Sequence, residues 1–327
     1  VKVLVTGATG YIGSRTVPEL LGRGHDVVAT HTSETPRPTP WSDRVEWRRL
    51  DVLQPRQALE VVSGVDAVVY LVHGLSETDF RQTDREAAEN VRAAMSQNGV
   101  GRVVYLSGIV PDVPEGELSE HIASRLEVER ILADGDAAAL SLRAAVVVGS
   151  GSTSFEIIRQ LSQRLPLVQG IPEWMRATVV QPVAVSDAVH HLGEAVERGD
   201  VVGHVDVAGP DRVTYPELLQ VFSDVAGLRR VQVPLPALPE SLAGWLAGQL
   251  TDVPTQTVES LMASLRHDMV AGDDRASRLG LAPERPTPLR AAVERALSPF
   301  DEDHDGAAVG ADPAAPSIVD PEWSRRG

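Results

Sequence analysis

Three glycines placed directly after the first apolar run constrain this chain more than any other feature. Val3-Leu4-Val5-Thr6 is short and continuously apolar apart from its last residue, and Gly7-Ala8-Thr9-Gly10-Tyr11-Ile12-Gly13 follows it. Ile12, Val17, Leu20 and Leu21 then recur with helical spacing until Gly22 and Gly24 stop the pattern. Strand, glycine turn and helix in that order predict a dinucleotide-binding βα unit. Gly7 permits the tight turn, Gly10 lets backbone approach a pyrophosphate, and Gly13 lets the helix pack closely on the strand. The helix start supplies free N–H groups and partial positive charge for phosphates.

The rest of the first half repeats this alternation. Asp26 to Thr30, Val45 to Leu50, Asp66 to Val72, Gly101 to Leu106 and Leu140 to Val148 read as strands. Helical patterns at Pro55 to Ser63, Asp79 to Asn98 and Ser119 to Ala133 lie between them. Continuous apolar strands alternating with helices predict an α/β, Rossmann-type doubly wound parallel sheet. Residues 1–150 form the dinucleotide-binding domain on this reading. Residues 151–300 form a smaller, mixed substrate region interleaved with the sheet, in which Pro234, Pro236 and Pro239 mark a loop. Residues 301–327 are acidic, then Pro/Ala-rich, and read as a tail or wrapping arm. Asp301 to Gly306 matches half a calcium loop, but Asp312 stands at the twelfth position and prolines follow, so a solvated acidic tail is the better reading and no metal is expected.

Thr6-Gly7-Ala8-Thr9-Gly10-Tyr11-Ile12-Gly13 resembles the extended and atypical short-chain dehydrogenase/reductase superfamily over roughly residues 1–300. The likeness continues at Asp51-Val52, at Tyr70-Leu71-Val72-His73-Gly74, at Tyr105-Leu106-Ser107-Gly108 and at Ala208-Gly209-Pro210. More narrowly, the chain looks like the NmrA-like and nucleotide-sugar-epimerase-like NAD(P)H-binding proteins. The resemblance implies that Thr6, Gly7, Thr9, Gly10, Tyr11, Ile12, Gly13, Asp51, Val52, Val72 and His73 meet the cofactor, with Asp51 at the adenine. At the end of the second strand, where an NAD enzyme usually carries an acid, the chain reads Thr30-His31-Thr32-Ser33; the first acid is Glu34, which can swing in for NAD, and Arg37 lies nearby. His31, Thr32 and Arg37 can accept a 2′-phosphate, so NADP(H) is favoured over NAD(H).

Composition then removes the superfamily's usual acid/base pair. Lys2 is the only lysine, and the four tyrosines are Tyr11, Tyr70, Tyr105 and Tyr215. Four residues beyond them stand Arg15, Gly74, Ile109 and Leu219, so Tyr-x-x-x-Lys is absent from the chain. Zero cysteines also remove thiol and iron–sulfur chemistry. His121-Ile122-Ala123-Ser124-Arg125 occupies the dyad's place, 14 residues past Ser107. His121 and Arg125 share a helix face at i and i+4. The guanidinium lowers the imidazole pKa, so His121 rests neutral. Ser107, His121 and Arg125 are the candidate catalytic residues: Ser107 orients an oxygen, His121 handles a proton and Arg125 holds ribose or phosphate. Adjacent His190 and His191 cannot both face one site and read as structural. Trp245 and Leu246 read as core or subunit packing.

A formal net charge of -16 and the lack of basic runs disfavour nucleic acid. No apolar run reaches a membrane span's length, and the N-terminal stretch reads as a strand rather than a secretory leader. The expectation is a cytoplasmic protein, compatible with a homo-oligomer, acting on a small molecule of unknown identity. Two functions stand open: an NAD(P)H-dependent reductase or epimerase-like oxidoreductase on a small carbonyl or alcohol, and a non-catalytic NADP(H) sensor or scaffold.

Overall fold

The computed structural model describes residues 1–74, 79–165, 167–236 and 238–325. The apolar runs of the first half become strands β1 (Lys2–Val5), β2 (Asp26–His31), β3 (Glu46–Arg49), β4 (Ala67–Tyr70), β5 (Arg102–Gly108) and β6 (Ala138–Ala144). Helices α1 (Tyr11–Gly22), α2 (Pro55–Val61), α3 (Phe80–Asn98) and α4 (Glu120–Ala133) connect them. Past β6 come β7 (Val147–Val148), α5 (Thr153–Arg164), β8 (Val168–Pro172), β9 (Val179–Val180), β10 (Val183–Ala184), α6 (Val185–Glu197) and β11 (Gly203–Val207). They are followed by β12 (Val213–Thr214), α7 (Tyr215–Val225), β13 (Val231–Leu235), α8 (Glu240–Gln249), α9 (Thr255–Met262), α10 (Arg275–Arg278) and α11 (Leu289–Ala296).

The central sheet has seven strands in the order β11-β6-β5-β4-β1-β2-β3, and every pair is parallel. Chain direction across the sheet reverses between β1 and β4, which opens a crevice beyond their carboxyl ends. Side-chain alternation divides the sheet into two cores. Val3, Val5 and Val69 face α1 and α6 through Val17, Leu20, Ala188 and Leu192. Leu4, Val68 and Tyr70 face α2, α3 and α4 through Ala58, Val91, Met95 and Leu132. Burial on both faces explains why these strands read as unbroken apolar runs. Arg102, at the start of β5, is buried, and its guanidinium donates to the carbonyls of Ala138, Ala195 and Val201. That charge ties the last turn of α6 to the sheet at the end where helix carbonyls are unpaired.

A third core, built from the second half, sits at the carboxyl end of β5. Ile109 and Ile122 meet Phe155, Phe222 and Val293 there, and the Phe155 and Phe222 rings pack edge to face at 5.8 Å. Two details depart from the sequence reading. The expected strand Leu140 to Val148 is interrupted, because the chain leaves the main sheet after Ala144 and Val147–Val148 pairs with β10 instead. Pro234 lies inside β13 rather than in a loop: β13 pairs with β8 in a two-stranded sheet, whose open edge needs no N–H from proline.

Residues 301–304 are exposed, but from Asp305 onward the segment packs against the fold. Its last two residues, 326 and 327, lie outside the described ones. Arg15, fully buried on α1, forms a 2.6 Å ion pair with buried Asp320 and donates to the carbonyls of Pro313, Ser150 and Ala315. Ala314 is buried against Tyr11, Val185 and Val189. The acids serve the arm itself: Asp305 accepts from the Ala307 and Ile318 amides and the Ser317 hydroxyl, and Asp312 from the Ala314 amide. Composition suggested solvation because acidic and small residues dominate; the buried partner on α1 decides otherwise.

Candidate cofactor and active site

The glycine loop closes where sequence placed it. Gly7 has φ of 67°, a left-handed conformation that side chains rarely adopt. A Cβ on Gly13 would overlap the Gly7 carbonyl oxygen and lie 2.8 Å from the Ala8 Cα, so only glycine allows α1 to start this close to the turn. Gly10 is the N-cap of α1 and brings no side-chain acceptor. The first-turn amides of α1 are therefore left for an external anion. Thr6, by contrast, spends its hydroxyl inside the fold: it donates to the Val69 carbonyl and accepts from the Leu71 amide at 3.0 Å, fixing the crevice floor between β1 and β4.

A cleft of about 240 Å³ opens over this loop. Its walls join Gly7, Gly10, Tyr11, Ile12 and Gly13 to His73, Ser107, His121 and Arg125. Ser107 ends β5 nearly buried, and its hydroxyl has no partner among the described residues. A buried, unpartnered hydroxyl is costly unless something else satisfies it. This one faces a cleft, where a ligand oxygen is the fitting partner. His121 is carried by the first turn of α4, whose N-cap Ser119 accepts from the Ile122 amide. Desolvation, then Arg125, push the His121 imidazole down to about 3. Arg125 donates to the Leu106 carbonyl at 2.8 Å, which anchors its guanidinium at the end of β5. His73 is pushed well below its ordinary value by desolvation, then by Arg125 and His121. His73 is nevertheless exposed at its surface.

The other residues that the sequence suggested do not line the cleft. His31 is buried, turns its Nδ1 to the Ser33 carbonyl at 3.0 Å and packs edge-on against Trp47. Thr32 is exposed at the end of β2, and its carbonyl accepts from Arg49, at the end of β3. Asp51 is exposed and accepts from the Leu53 amide, while Val52 and Val72 pack against the second core. Thr9 sits half-buried in the glycine loop. Arg37 donates to the carbonyls of Ile318 and Val319, so the arm reaches the loop after β2. His190 and His191 are held by Arg23 and by the Asp187 carbonyl, away from the cleft. Lys2 pairs with Glu46 at the amino end of β1, opposite the crevice.

Several site residues carried no sequence signal. Asp84 on α3 is buried, accepts from the Gly74 amide at 2.8 Å and from the Ser124 hydroxyl at 2.9 Å, and so joins the His73 loop to α4. Arg49 reaches the end of β2 only through the β2–β3 register that pairs it with His31. Leu261, from α9, closes the cleft from the second half of the chain.

Known proteins resemble the chain in sequence and in fold. Residues 7–153 match the NAD(P)H-binding family model. An uncharacterised protein of Mycobacterium tuberculosis is 28% identical over 239 residues, covering 72% of this chain and 24% of its own length. The chain thus spans about a quarter of that relative. A 2-alkyl-3-oxoalkanoate reductase of Stenotrophomonas maltophilia is 31% identical over 188 residues, covering 50% of this chain and 55% of the reductase. Among solved structures, the Bordetella bronchiseptica enzyme WbmG in complex with NAD and UDP superimposes with a TM-score of 0.70 at 17% identity, over 96% of this chain and 99% of WbmG. That likeness concerns the fold.

Proposed function

We propose that this chain, an NAD(P)H-binding member of the short-chain dehydrogenase/reductase superfamily, is a reductase of small carbonyl compounds that works without Tyr-x-x-x-Lys. The carrying observation is the buried, unpartnered Ser107 hydroxyl, which shares one cleft with a neutral His121 and the glycine loop. The first-turn amides of α1 hold the pyrophosphate, and Gly7 and Gly10 let it come close. The nicotinamide, when bound, supplies or accepts a hydride at a carbonyl or alcohol carbon. Ser107 donates a hydrogen bond to the substrate oxygen and fixes its position. A neutral imidazole carries one N–H and one free nitrogen. His121 donates its N–H to the substrate oxygen, and the proton moves across as its other nitrogen takes one from water in concert, so the ring stays neutral throughout. Arg125, anchored on the Leu106 carbonyl, provides fixed positive charge beside the cleft and keeps the imidazole neutral. The reductase relative in Stenotrophomonas supports this direction of reaction.

NADP(H) is the favoured cofactor. The end of β2 presents Thr32 and Ser33 rather than an acid, with Arg49 at Thr32 and Arg37 in the following loop. Titration of the purified protein with NADPH and NADH tests this, followed by a panel of carbonyl compounds. Tighter NADPH is expected, and Arg49→Glu should weaken NADPH by about tenfold or more, the loss of one charge-assisted contact, with NADH little changed. Saturable NADPH binding with no turnover across the panel would instead favour a sensor or scaffold.

A further inference from the structure

Beyond the cofactor cleft lies a second cavity of about 310 Å³, enclosed by α5, α7, α8, α9, β8 and β13. The two cavities share Ser154 and Leu261 in their walls, so the second continues the first away from the glycine loop. Its lining is aliphatic: Ile158, Leu161, Leu218, Leu235 and Leu246 are representative, and only Ser154 and Tyr215 carry polar side-chain atoms. Among the described residues that line it, none is charged. The mouth is apolar too. Leu235, Leu246 and Leu250 line the cavity while remaining 37–39% exposed, and α8 adds exposed Leu242 and Trp245 beside them. Exposed apolar side chains gathered round an apolar cavity mark a ligand entrance.

We propose that this cavity holds the hydrocarbon portion of the substrate, so that the chain acts on carbonyl compounds bearing an extended aliphatic or alicyclic group. The inference rests on the reductase reading above. It selects among substrates by chemistry. A diphosphate needs cationic or amide donors, and sugar hydroxyls need polar partners, or their desolvation goes uncompensated. Neither set stands here. A hydrocarbon tail needs only area to bury, and each methylene transferred from water adds to affinity.

The test is calorimetric titration of NADPH-loaded protein with straight-chain methyl ketones of increasing length, with a uridine-diphosphate hexose as the polar competitor. Affinity is expected to rise roughly fourfold per added methylene until the cavity is full. Leu246→Glu, at the exposed mouth, should flatten that gradient while NADPH affinity stays unchanged. Leu235→Glu repeats the test from β13 should the first variant fold poorly. Affinity independent of chain length, or a sugar nucleotide binding more tightly than the long ketones, would overturn the assignment. NADPH titration of the same samples separates the two readings: lost cofactor binding strikes the reductase proposal, and a flat chain-length series strikes only the hydrocarbon site.

Discussion

On the proposed reading, Ser107 and His121 do by placement what a Tyr-x-x-x-Lys pair does by chemical identity. At this scale the charge state of His121 is the measurable quantity. An unfolded histidine titrates near 6.5. In the fold desolvation and Arg125 hold His121 near 3, and His191 is also lowered, chiefly by burial. Between those values the unfolded chain binds more protons than the native one, so stability is full above pH ~6.5 and declines as pH falls through the window. Each such group contributes at most about 1.4 kcal/mol per pH unit. Urea denaturation of the wild type and His121→Leu at several pH values checks this: the variant should lose part of the acid-side slope. Identical slopes would mean that His121 is solvated and charged. This residue was legible in the sequence, because i and i+4 spacing puts Arg125 beside it on one helix. The orphaned state of the Ser107 hydroxyl was not, since it depends on what the third core leaves unfilled.

Among the elements, the site is the meeting of three carboxyl-terminal strand ends with two helix starts. β1 supplies the loop into α1, β4 supplies His73, and β5 supplies Ser107 opposite the first turns of α4. Local patterns reveal these pieces, because strands buried on both faces are unbroken apolar runs and glycine punctuates them. What holds the pieces in register is non-local. Asp84, ten residues beyond Gly74, clamps that amide and Ser124 together. No sequence rule distinguishes it from the exposed acids around it on α3. Asp84→Ala strands two polar groups and should destabilise the fold by about 1–3 kcal/mol. It should also lower kcat with NADPH affinity nearly intact, since the glycine loop is untouched; denaturation and steady-state kinetics read the two effects separately. Arg49 and Leu261 were hidden for the same reason: register brings Arg49 to the end of β2, and packing brings Leu261 to the cleft.

Across the whole molecule, the second half of the chain completes what the first half begins. β11 extends the main sheet, α9 closes the cleft, and the carboxyl-terminal arm crosses α1 to reach Arg37. Composition hid the arm, because small and acidic residues look solvated until Arg15 is seen buried beneath them. Removing one member of a buried ion pair leaves the other uncompensated. Asp320→Ala should therefore cost about 3–5 kcal/mol in a denaturation experiment; a change within ~0.5 kcal/mol would show that the arm is not docked in solution. The proposed chemistry reduces carbonyls through Ser107 and His121 rather than through a tyrosine and lysine. Its most direct test is single-turnover oxidation of bound NADPH by a carbonyl substrate in wild type, Ser107→Ala and His121→Ala. Unchanged NADPH affinity and a rate lowered by about 10²–10⁴ are expected in each variant. Variants that bind NADPH and turn over at the wild-type rate would contradict it.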